Sequence, residues 1–152
     1  MVAARICCAI DFSEASLLAL VEAAELARWS GAELRLIHVH AVPEGEVRPE
    51  AFEMSAVDLH RDVAVWRAEA ERRTGALVNA EVVAGDPATE ILRLARHCDA
   101  DLLVLGARGR SAPGGRRLGS VAARVAREAP CPVIVVRARV PLPDEGPARH
   151  AA

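Results

Sequence analysis

The sequence contains no lysine and no tyrosine, and only two tryptophans and two phenylalanines among 152 residues. Without lysine the chain cannot form a phosphate loop of the Gly-Lys-Ser/Thr type or carry out lysine-dependent chemistry. So few aromatic side chains also argue against a stacking platform for single-stranded nucleic acid, and Trp29 and Trp66 are expected to be packing residues. The formal net charge of -2 provides no basic field for non-specific nucleic-acid binding.

Long apolar runs are absent as well. Uninterrupted apolar stretches, such as Leu102–Leu105 and Pro132–Val136, fall far short of the roughly 20 residues that a membrane-spanning helix needs. The beginning of the chain lacks an apolar stretch followed by a small-residue cleavage site, so it does not resemble a secretion signal. We therefore expect a cytoplasmic protein.

The four cysteines lack the spacing of a metal or redox motif, since no two form Cys-x-x-Cys and no histidine stands at ligand spacing from them. They are Cys7, Cys8, Cys98 and Cys131. We expect them to be small buried apolar residues in a reducing compartment.

Short apolar runs alternate with longer amphipathic stretches, which is typical of repeated β-α units and a parallel sheet. Strands are placed at Arg5–Ile10, Glu33–His40, Leu77–Val83, Asp101–Leu105 and Pro132–Val136. Four helices are expected between them, the second and fourth at Ala51–Thr74 and Ser120–Ala129. The pattern predicts an α/β fold: an open doubly wound five-stranded parallel sheet with helices on both faces, as in Rossmann-like folds.

A single domain accounts for this pattern. We expect it to span residues 1–137, because a chain of this length is sufficient for one hydrophobic core and too short for two. Residues 138–152 contain three prolines and show no periodicity. They are predicted to form a flexible Pro-rich tail.

Capping residues mark the helix boundaries. Ser13 is a natural N-cap for the first helix, and Gly31 is its expected C-terminal stop. Asp86 and Pro87 provide a cap and a first-turn proline for the third helix. The apolar spacing of the first helix predicts a buried face made of Leu17, Leu20, Val21 and Ala24.

The fold predicts where a ligand binds before any motif is considered. Open doubly wound sheets bind ligands at the carboxyl ends of their strands, where the strand order reverses. The candidate segments follow the first, second and fourth strands, at Asp11–Ser13, Val39–His40 and from Gly106 onward.

The segment Gly106–Ser120 is the most informative part of the sequence. It leaves an apolar strand and enters a helix, so its end presents backbone N–H groups and the positive end of a helix dipole, which favour an anion. Glycines at 106 and 109 permit a sharp turn and close approach to a ligand. The Ser120 hydroxyl is expected either to cap its own helix or to bind a phosphate oxygen. Positive charge comes from Arg108, Arg110, Arg116 and Arg117.

Other candidate sites are weaker. His38 and His40 alternate along one strand and point the same way, but local hydrogen bonding explains them better than a metal site does. Asp11 follows the first strand as a phosphoacceptor would, yet it lacks an acidic pair and a lysine. Ser111 does not lie in a Gly-x-Ser-x-Gly motif, so no Ser-His-Asp triad is indicated.

The loop resembles the nucleotide loop of the universal stress protein family. It reads Gly106, two residues, Gly109, nine residues, then Gly119-Ser120. The resemblance covers nearly the whole chain except the Pro-rich tail. Further segments that resemble the family are Ala9–Glu14, Leu36–Val39, Gly85–Ala88, Asp101–Gly106 and Ala129–Val136.

The resemblance implies a five-stranded α/β domain, often a homodimer, that in its nucleotide-binding members holds ATP. By this analogy Asp11 and the Val39 backbone meet the adenosine, and Gly106 and Gly109 pass along the ribose and α-phosphate. Gly119, Ser120 and the Val121 amide hold the β- and γ-phosphates. The full set of predicted nucleotide-binding residues is Ala9, Asp11, Val39, Gly106, Arg108, Gly109, Gly119, Ser120 and Val121.

Three functions follow as hypotheses. The first is a stress-response regulatory module in which ATP orders the 106–120 loop and changes what the protein or its dimer offers to a partner. The second is a slow ATPase or self-phosphorylating enzyme that uses Ser111 or Ser120, the loop arginines and Mg²⁺. The third is a nucleotide-independent protein that dimerises through its fifth strand. Because no general base is recognisable, binding is favoured over catalysis.

Overall fold

The computed structural model describes residues 4–42, 49–109 and 117–138, and over 49–56 it describes the backbone alone. The strands are β1 (Arg5–Ala9), β2 (Glu33–Ala41), β3 (Asn79–Gly85), β4 (Leu102–Gly106) and β5 (Val133–Val136). The helices are α1 (Glu14–Ser30), α2 (Pro49–Thr74), α3 (Pro87–His97) and α4 (Ser120–Glu128). Each boundary lies within two residues of its predicted position.

All five strands are parallel and lie in the order β3-β2-β1-β4-β5. At the centre, Ile6 of β1 lies between Leu34 of β2 and Leu102 of β4. The chain moves outward from β1 through β2 to β3 and then returns to the other side of β1 for β4 and β5, so the strand order reverses between β1 and β4. The predicted open doubly wound α/β sheet is confirmed.

The alternation of side chains along β1 divides the core into two layers. Ile6, Cys8 and Ile10 pack with α1 and the buried end of α2 on one face of the sheet. Cys7 and Ala9 pack with α3 and α4 on the other. Because both faces are covered, the central strand is apolar from Ile6 onward, as parallel strands between two helical layers usually are.

Helix α1 begins and ends where its capping residues predict. The Ser13 hydroxyl accepts a hydrogen bond from the Ser16 amide, and Gly31 ends the helix in the left-handed conformation at φ 72°. The predicted buried face was partly wrong, because Leu17 is 41% exposed. Small side chains form the buried face instead: Ala15, Ser16, Ala19, Ala23, Ala24 and Ala27, together with Leu20. This surface of small residues lets α1 lie close to the sheet.

Strand β3 begins two residues later than the sequence predicted. The Val78 amide donates to the Glu71 carboxylate at 3.0 Å, so it is satisfied by the end of α2, and strand pairing begins at Asn79 with Arg35. Leu77, which the apolar pattern assigned to the strand, is 86% exposed. Trp29 was likewise expected to pack, but it is 83% exposed at the last turn of α1.

Part of the predicted organisation lies outside the described residues. This applies to residues 139–152 of the Pro-rich tail and to the loop residues Arg110, Ser111 and Arg116. Among the helices that are described, none combines the length and apolar character that crossing a bilayer demands.

Candidate functional site

A cleft of about 280 Å³ opens at the carboxyl ends of β1, β2 and β4, at the point where the strand order reverses. This is the position that the sheet rule predicted. Its lining includes all nine residues that the sequence analysis selected: Ala9, Asp11, Val39, Gly106, Arg108, Gly109, Gly119, Ser120 and Val121. The volume lies near the lower end of the usual range for small-molecule sites.

Asp11 is held at the cleft by the turn that follows β1. Its carboxylate accepts a hydrogen bond from the Ser13 amide at 3.0 Å, and its own amide donates to the Ser16 hydroxyl at 3.2 Å. Ser16, which is only 3% exposed, donates in turn to the Ser13 carbonyl at 3.1 Å. These bonds join the end of β1 to the first turn of α1 and so fix the carboxylate. Nothing in the sequence pattern indicated this role of Ser16.

The same turn places Phe12 at φ 64°, a conformation that large side chains rarely adopt. The Phe12 ring lies between two other aromatic rings, with centroid distances of 4.7 Å to His38 and 5.2 Å to Trp66. His38 is buried and hydrogen-bonded through Nδ1 to the Ile10 carbonyl oxygen at 2.8 Å. Packing around Phe12 thus compensates for the backbone strain beside Asp11. The expected local hydrogen bonding of His38 is confirmed.

Gly106 and Gly109 are required by contacts within the protein. A Cβ atom on Gly106 would lie 2.9 Å from the carbonyl carbon and Cβ of Ala15, so glycine permits the close contact of β4 with α1. A Cβ on Gly109 would lie 2.5 Å from Oδ2 of Asp11. Neither glycine has a positive φ. Contacts within the protein therefore account for both glycines, whereas the sequence had predicted a sharp turn and close approach to a ligand.

Two hydrogen bonds join the ends of the 106–120 loop. The Gly119 amide donates to the Ala107 carbonyl at 2.7 Å, and Nε of Arg108 donates to the Arg117 carbonyl at 2.6 Å. The ends of the loop are therefore held together beside the cleft. Because the Gly119 amide is used in this contact, the amides of Ser120 and Val121 are better placed to receive an anion.

Gly119, rather than Ser120, is the N-cap of α4. Gly119 has extended backbone angles of φ -63° and ψ 160°, and no side chain caps the helix. The first helical hydrogen bond runs from the Ala123 amide to the Gly119 carbonyl at 2.9 Å. Amides in the first turn of a helix have no partner within it, and they carry the positive end of its dipole. The capping role considered for Ser120 was wrong, because Ser120 is already the first helical residue.

The opposite wall of the cleft is apolar and includes residues that sequence reasoning missed. Val39 and Ala41 of β2 lie there with Pro87 and Ile91 of α3. Ile91 and Ala41 were not among the predicted site residues. The sequence did indicate that α3 packs beside the end of β2, because crossover connections between parallel strands are right-handed. A sequence pattern does not show, however, which turn of the helix reaches the cleft.

A polar contact joins the two helices that flank the cleft. Asp86 caps α3 by accepting from the Thr89 amide at 3.0 Å, and its carboxylate also lies 3.0 Å from Nη1 of Arg124 in α4. The hydrogen bonds from Thr89, and then the Arg124 guanidinium, hold the pKa of Asp86 below its ordinary value. The predicted cap is confirmed, but its bond to Arg124 was not visible in the sequence.

Among the described residues that line the cleft, the charged side chains are Asp11 and Arg108, and the rest of the lining consists of backbone amides, Ser16, Ser120 and apolar side chains. Within the three described stretches of chain, no three His, Cys, Asp or Glu side chains group as metal ligands. A neutral heterocycle suits the apolar wall, and a phosphate suits the start of α4.

Fold and site together define an open doubly wound α/β domain with a cleft at its topological switch point. The model of the universal stress protein family matches residues 3–137. The chain therefore belongs to the universal stress protein family. It is 39% identical over 131 residues to a universal stress protein of Thermus aquaticus, an alignment that covers 85% of this chain and 95% of the relative.

Solved structures show the same fold. A universal stress protein from Lactobacillus plantarum superposes with a TM-score of 0.79 at 26% identity, covering 88% of this chain and 97% of that one. A family member from Archaeoglobus fulgidus in complex with dAMP gives a TM-score of 0.66 at 26% identity, covering 90% and 99%. A universal stress protein in complex with cAMP also gives 0.66, at 28% identity, covering 90% and 98%.

Proposed function

We propose that this protein binds an adenine nucleotide, with ATP as the preferred ligand, in the cleft at the ends of β1, β2 and β4. The observation that carries the proposal is the convergence of all nine predicted residues on one cleft that has an apolar wall and an uncapped helix start. Two structurally similar family members were solved with cAMP and with dAMP, which supports an adenine nucleotide as the ligand class.

The phosphates are assigned to the start of α4. The amides of Ser120 and Val121 and the helix dipole would receive the negative charge, and Arg108 supplies the nearby positive charge. Mg²⁺ is expected to enter with the triphosphate, because this ion is usually bound through substrate phosphates and one or two carboxylates. The adenosine is assigned to the opposite wall near Val39, with Asp11 close to the ribose.

A proline substitution at Ser120 tests the phosphate site. Proline is favoured at the first helical position, and Gly119 already has the extended conformation that a residue before proline requires. Ser120→Pro therefore removes one phosphate-binding amide with little strain in the helix. Ser120→Ala keeps that amide and is the matched control.

The measurement is thermal melting with and without ATP and Mg²⁺. Ligand at about 100 times its dissociation constant stabilises the folded state by about 2.7 kcal/mol, which for a domain of this size raises the melting temperature by about 5–10 °C. We expect the wild type to show this shift and Ser120→Pro to lose most of it, while adenosine shifts both equally. An unchanged ATP shift in Ser120→Pro, or none in the wild type at millimolar ATP, contradicts the proposal.

In the cell we propose a regulatory role in the stress response, exerted by a cytoplasmic homodimer whose nucleotide state changes its contacts with a partner. Strand β5 is at the end of the sheet order and pairs only with β4 among the described strands, so its outer edge is suited to antiparallel pairing with a second copy. Mass spectrometry of the ligand released from freshly purified protein distinguishes this role from nucleotide-independent dimerisation.

Slow ATP hydrolysis or self-phosphorylation remains the alternative function. Ser120 lines the cleft, while Ser111 lies outside the described residues. Incubation with γ-labelled ATP followed by analysis of free phosphate and labelled protein tests this function. If neither signal exceeds that of a Gly119→Ala variant, the enzyme hypothesis fails.

A further inference from the structure

Cys7 and Cys98 meet on the face of the sheet that α3 and α4 cover, and neither of them lines the cleft described above. Cys7 lies in β1 and faces the layer that contains α3, and Cys98 caps the end of α3. Their Sγ atoms are 3.2 Å apart although 91 positions separate them in the sequence. This is hydrogen-bonding distance between two free thiols, either of which can be the donor.

The two thiols differ in exposure. Cys7 has 0% exposure, and burial, followed by its contact with Cys98, raises the pKa of its thiol. Cys98 is only partly buried at the surface end of α3. A small oxidant therefore reaches Cys98 first, and Cys7 is already positioned behind it.

Neither of the other cysteines matches this arrangement. Cys8 is adjacent to Cys7 in the same strand, but it points to the opposite face of the sheet and packs with α1. Cys131 precedes β5 and packs at the margin of the same layer as Cys7, where burial, followed by the nearby Cys98, raises the pKa of its thiol. The sulfur atoms of Cys7 and Cys98 are nevertheless the ones within hydrogen-bonding distance of each other. The contact between Cys7 and Cys98 therefore selects one pair from the four cysteines.

We propose that Cys7 and Cys98 form a disulfide when the protein encounters a hydroperoxide. In the first step Cys98 Sγ attacks the peroxide oxygen, the O–O bond breaks, and Cys98 becomes a sulfenic acid with release of water or an alcohol. In the second step Cys7 Sγ attacks the Cys98 sulfur, the S–O bond breaks, and the Cys7 proton leaves with the hydroxyl as water. Two thiols lose two electrons, and the hydroperoxide accepts them.

Proximity offsets the low thiolate content of Cys7. The sulfur atoms must approach by only about 1 Å to reach the bond length of about 2.05 Å. Intramolecular attack at such short range is strongly favoured over attack by a thiol in solution. The bond would connect the end of α3 to the central strand of the sheet, and a cellular thiol such as glutathione would reverse it.

The test is peptide mapping of the folded protein after treatment with hydrogen peroxide. Free thiols are then alkylated in denaturant without reductant, and the protein is cleaved after arginine. Cys98 is the single cysteine of peptide His97–Arg108, whereas Cys7 and Cys8 share peptide Ile6–Arg28. We expect these two peptides to be cross-linked in the wild type, with a mass about 2 Da below their sum and separation by dithiothreitol.

Single substitutions identify which two cysteines form the disulfide. Cys8→Ala should keep the cross-link, which identifies Cys7 as the partner, and Cys131→Ser should also keep it. Cys98→Ser should lose it. The same treatment in guanidinium should give mixed pairings, because the folded contact no longer selects one pair. A sulfinic acid at Cys98 without a cross-link, or a bond from Cys98 to Cys8 or Cys131, overturns the proposal.

Discussion

The roles of Gly106 and Gly109 differ because an added Cβ would meet a different kind of atom at each position. At Gly106 an added Cβ would meet the backbone of Ala15, which cannot move without shifting α1. At Gly109 it would meet the carboxylate of Asp11, which can rotate away. The first glycine therefore preserves the fold, and the second preserves the position of a side chain in the cleft.

We predict that Gly106→Ala mainly lowers stability and that Gly109→Ala mainly weakens ATP binding. Gly106→Ala should lower the free energy of unfolding by about 1–3 kcal/mol, as overpacking does in other proteins. Gly109→Ala should change it by only about 0.5 kcal/mol but weaken ATP binding about tenfold or more, because Asp11 leaves its hydrogen bond with Ser13. Urea unfolding and calorimetric titration measure the two quantities.

Asp11→Ala combined with Gly109→Ala is the control. Removing the carboxylate also removes the clash, so the double variant should bind ATP no more weakly than Asp11→Ala alone. If the second substitution costs as much affinity in the Asp11→Ala background as in the wild type, the contact does not explain the role of Gly109.

At the scale of the element, the starts of α1 and α4 use serine differently. Ser13 is the N-cap of α1 and accepts a bond from the Ser16 amide at 3.2 Å. Ser120 is the first residue of α4 and makes no capping bond. One serine therefore stabilises its helix, and the other leaves its hydroxyl at the lining of the cleft.

Ser13→Ala should lower the free energy of unfolding by about 1 kcal/mol, the usual loss for an N-cap. Ser120→Ala should stay within about 0.5 kcal/mol of the wild type, since no cap is lost. Urea unfolding without nucleotide measures both. Equal losses would mean that Ser120 supports its helix after all.

The contact of Asp86 with α3 and α4 predicts a pH dependence. Because the pKa of Asp86 is lowered in the folded state, its contribution to stability is complete above its ordinary pKa of 3.8. That contribution is lost as the pH falls through the lower folded value. Asn also caps helices well but does not titrate, so Asp86→Asn isolates the charge.

We expect the wild type to be more stable than Asp86→Asn at pH about 6 and to lose this advantage on acidification below about pH 4. Urea unfolding of both proteins across this range gives the difference, in which the titration of other carboxylates cancels. A difference that does not change with pH would show that the contact with Arg124 contributes no charge stabilisation.

At the scale of the whole molecule, the outer edge of β5 leads us to predict how two copies of the chain associate. Ile134 of β5 is 36% exposed although it lies in an apolar strand. Burial of such a side chain between two β5 strands would favour a dimer related by twofold symmetry.

Ile134→Arg should shift the protein from dimer to monomer in sedimentation velocity, because it places a charge in the proposed interface. Leu77→Arg is the control, since Leu77 is 86% exposed and precedes β3, the strand at the opposite edge of the sheet. Dissociation by both substitutions, or by neither, would argue against pairing through β5.

The sequence by itself determined the order of helices and strands, the caps at Ser13 and Asp86, and the end of the sheet at which the cleft lies. These features depend on signals that act over a few residues: apolar periodicity, capping hydroxyls and carboxylates, and the direction of parallel strands. These signals do not depend on how the elements pack together, so a sequence pattern is sufficient to locate the features.

Only the tertiary structure decided that α1 buries its alanines, that Gly119 caps α4, that Ile91 reaches the cleft and that Cys7 meets Cys98. These outcomes depend on distances between segments far apart in the chain. A close helix approach selects small residues over large ones, and two cysteines in different elements come together only when the whole sheet is assembled. No local pattern carries that information, because it belongs to the packing of the complete core.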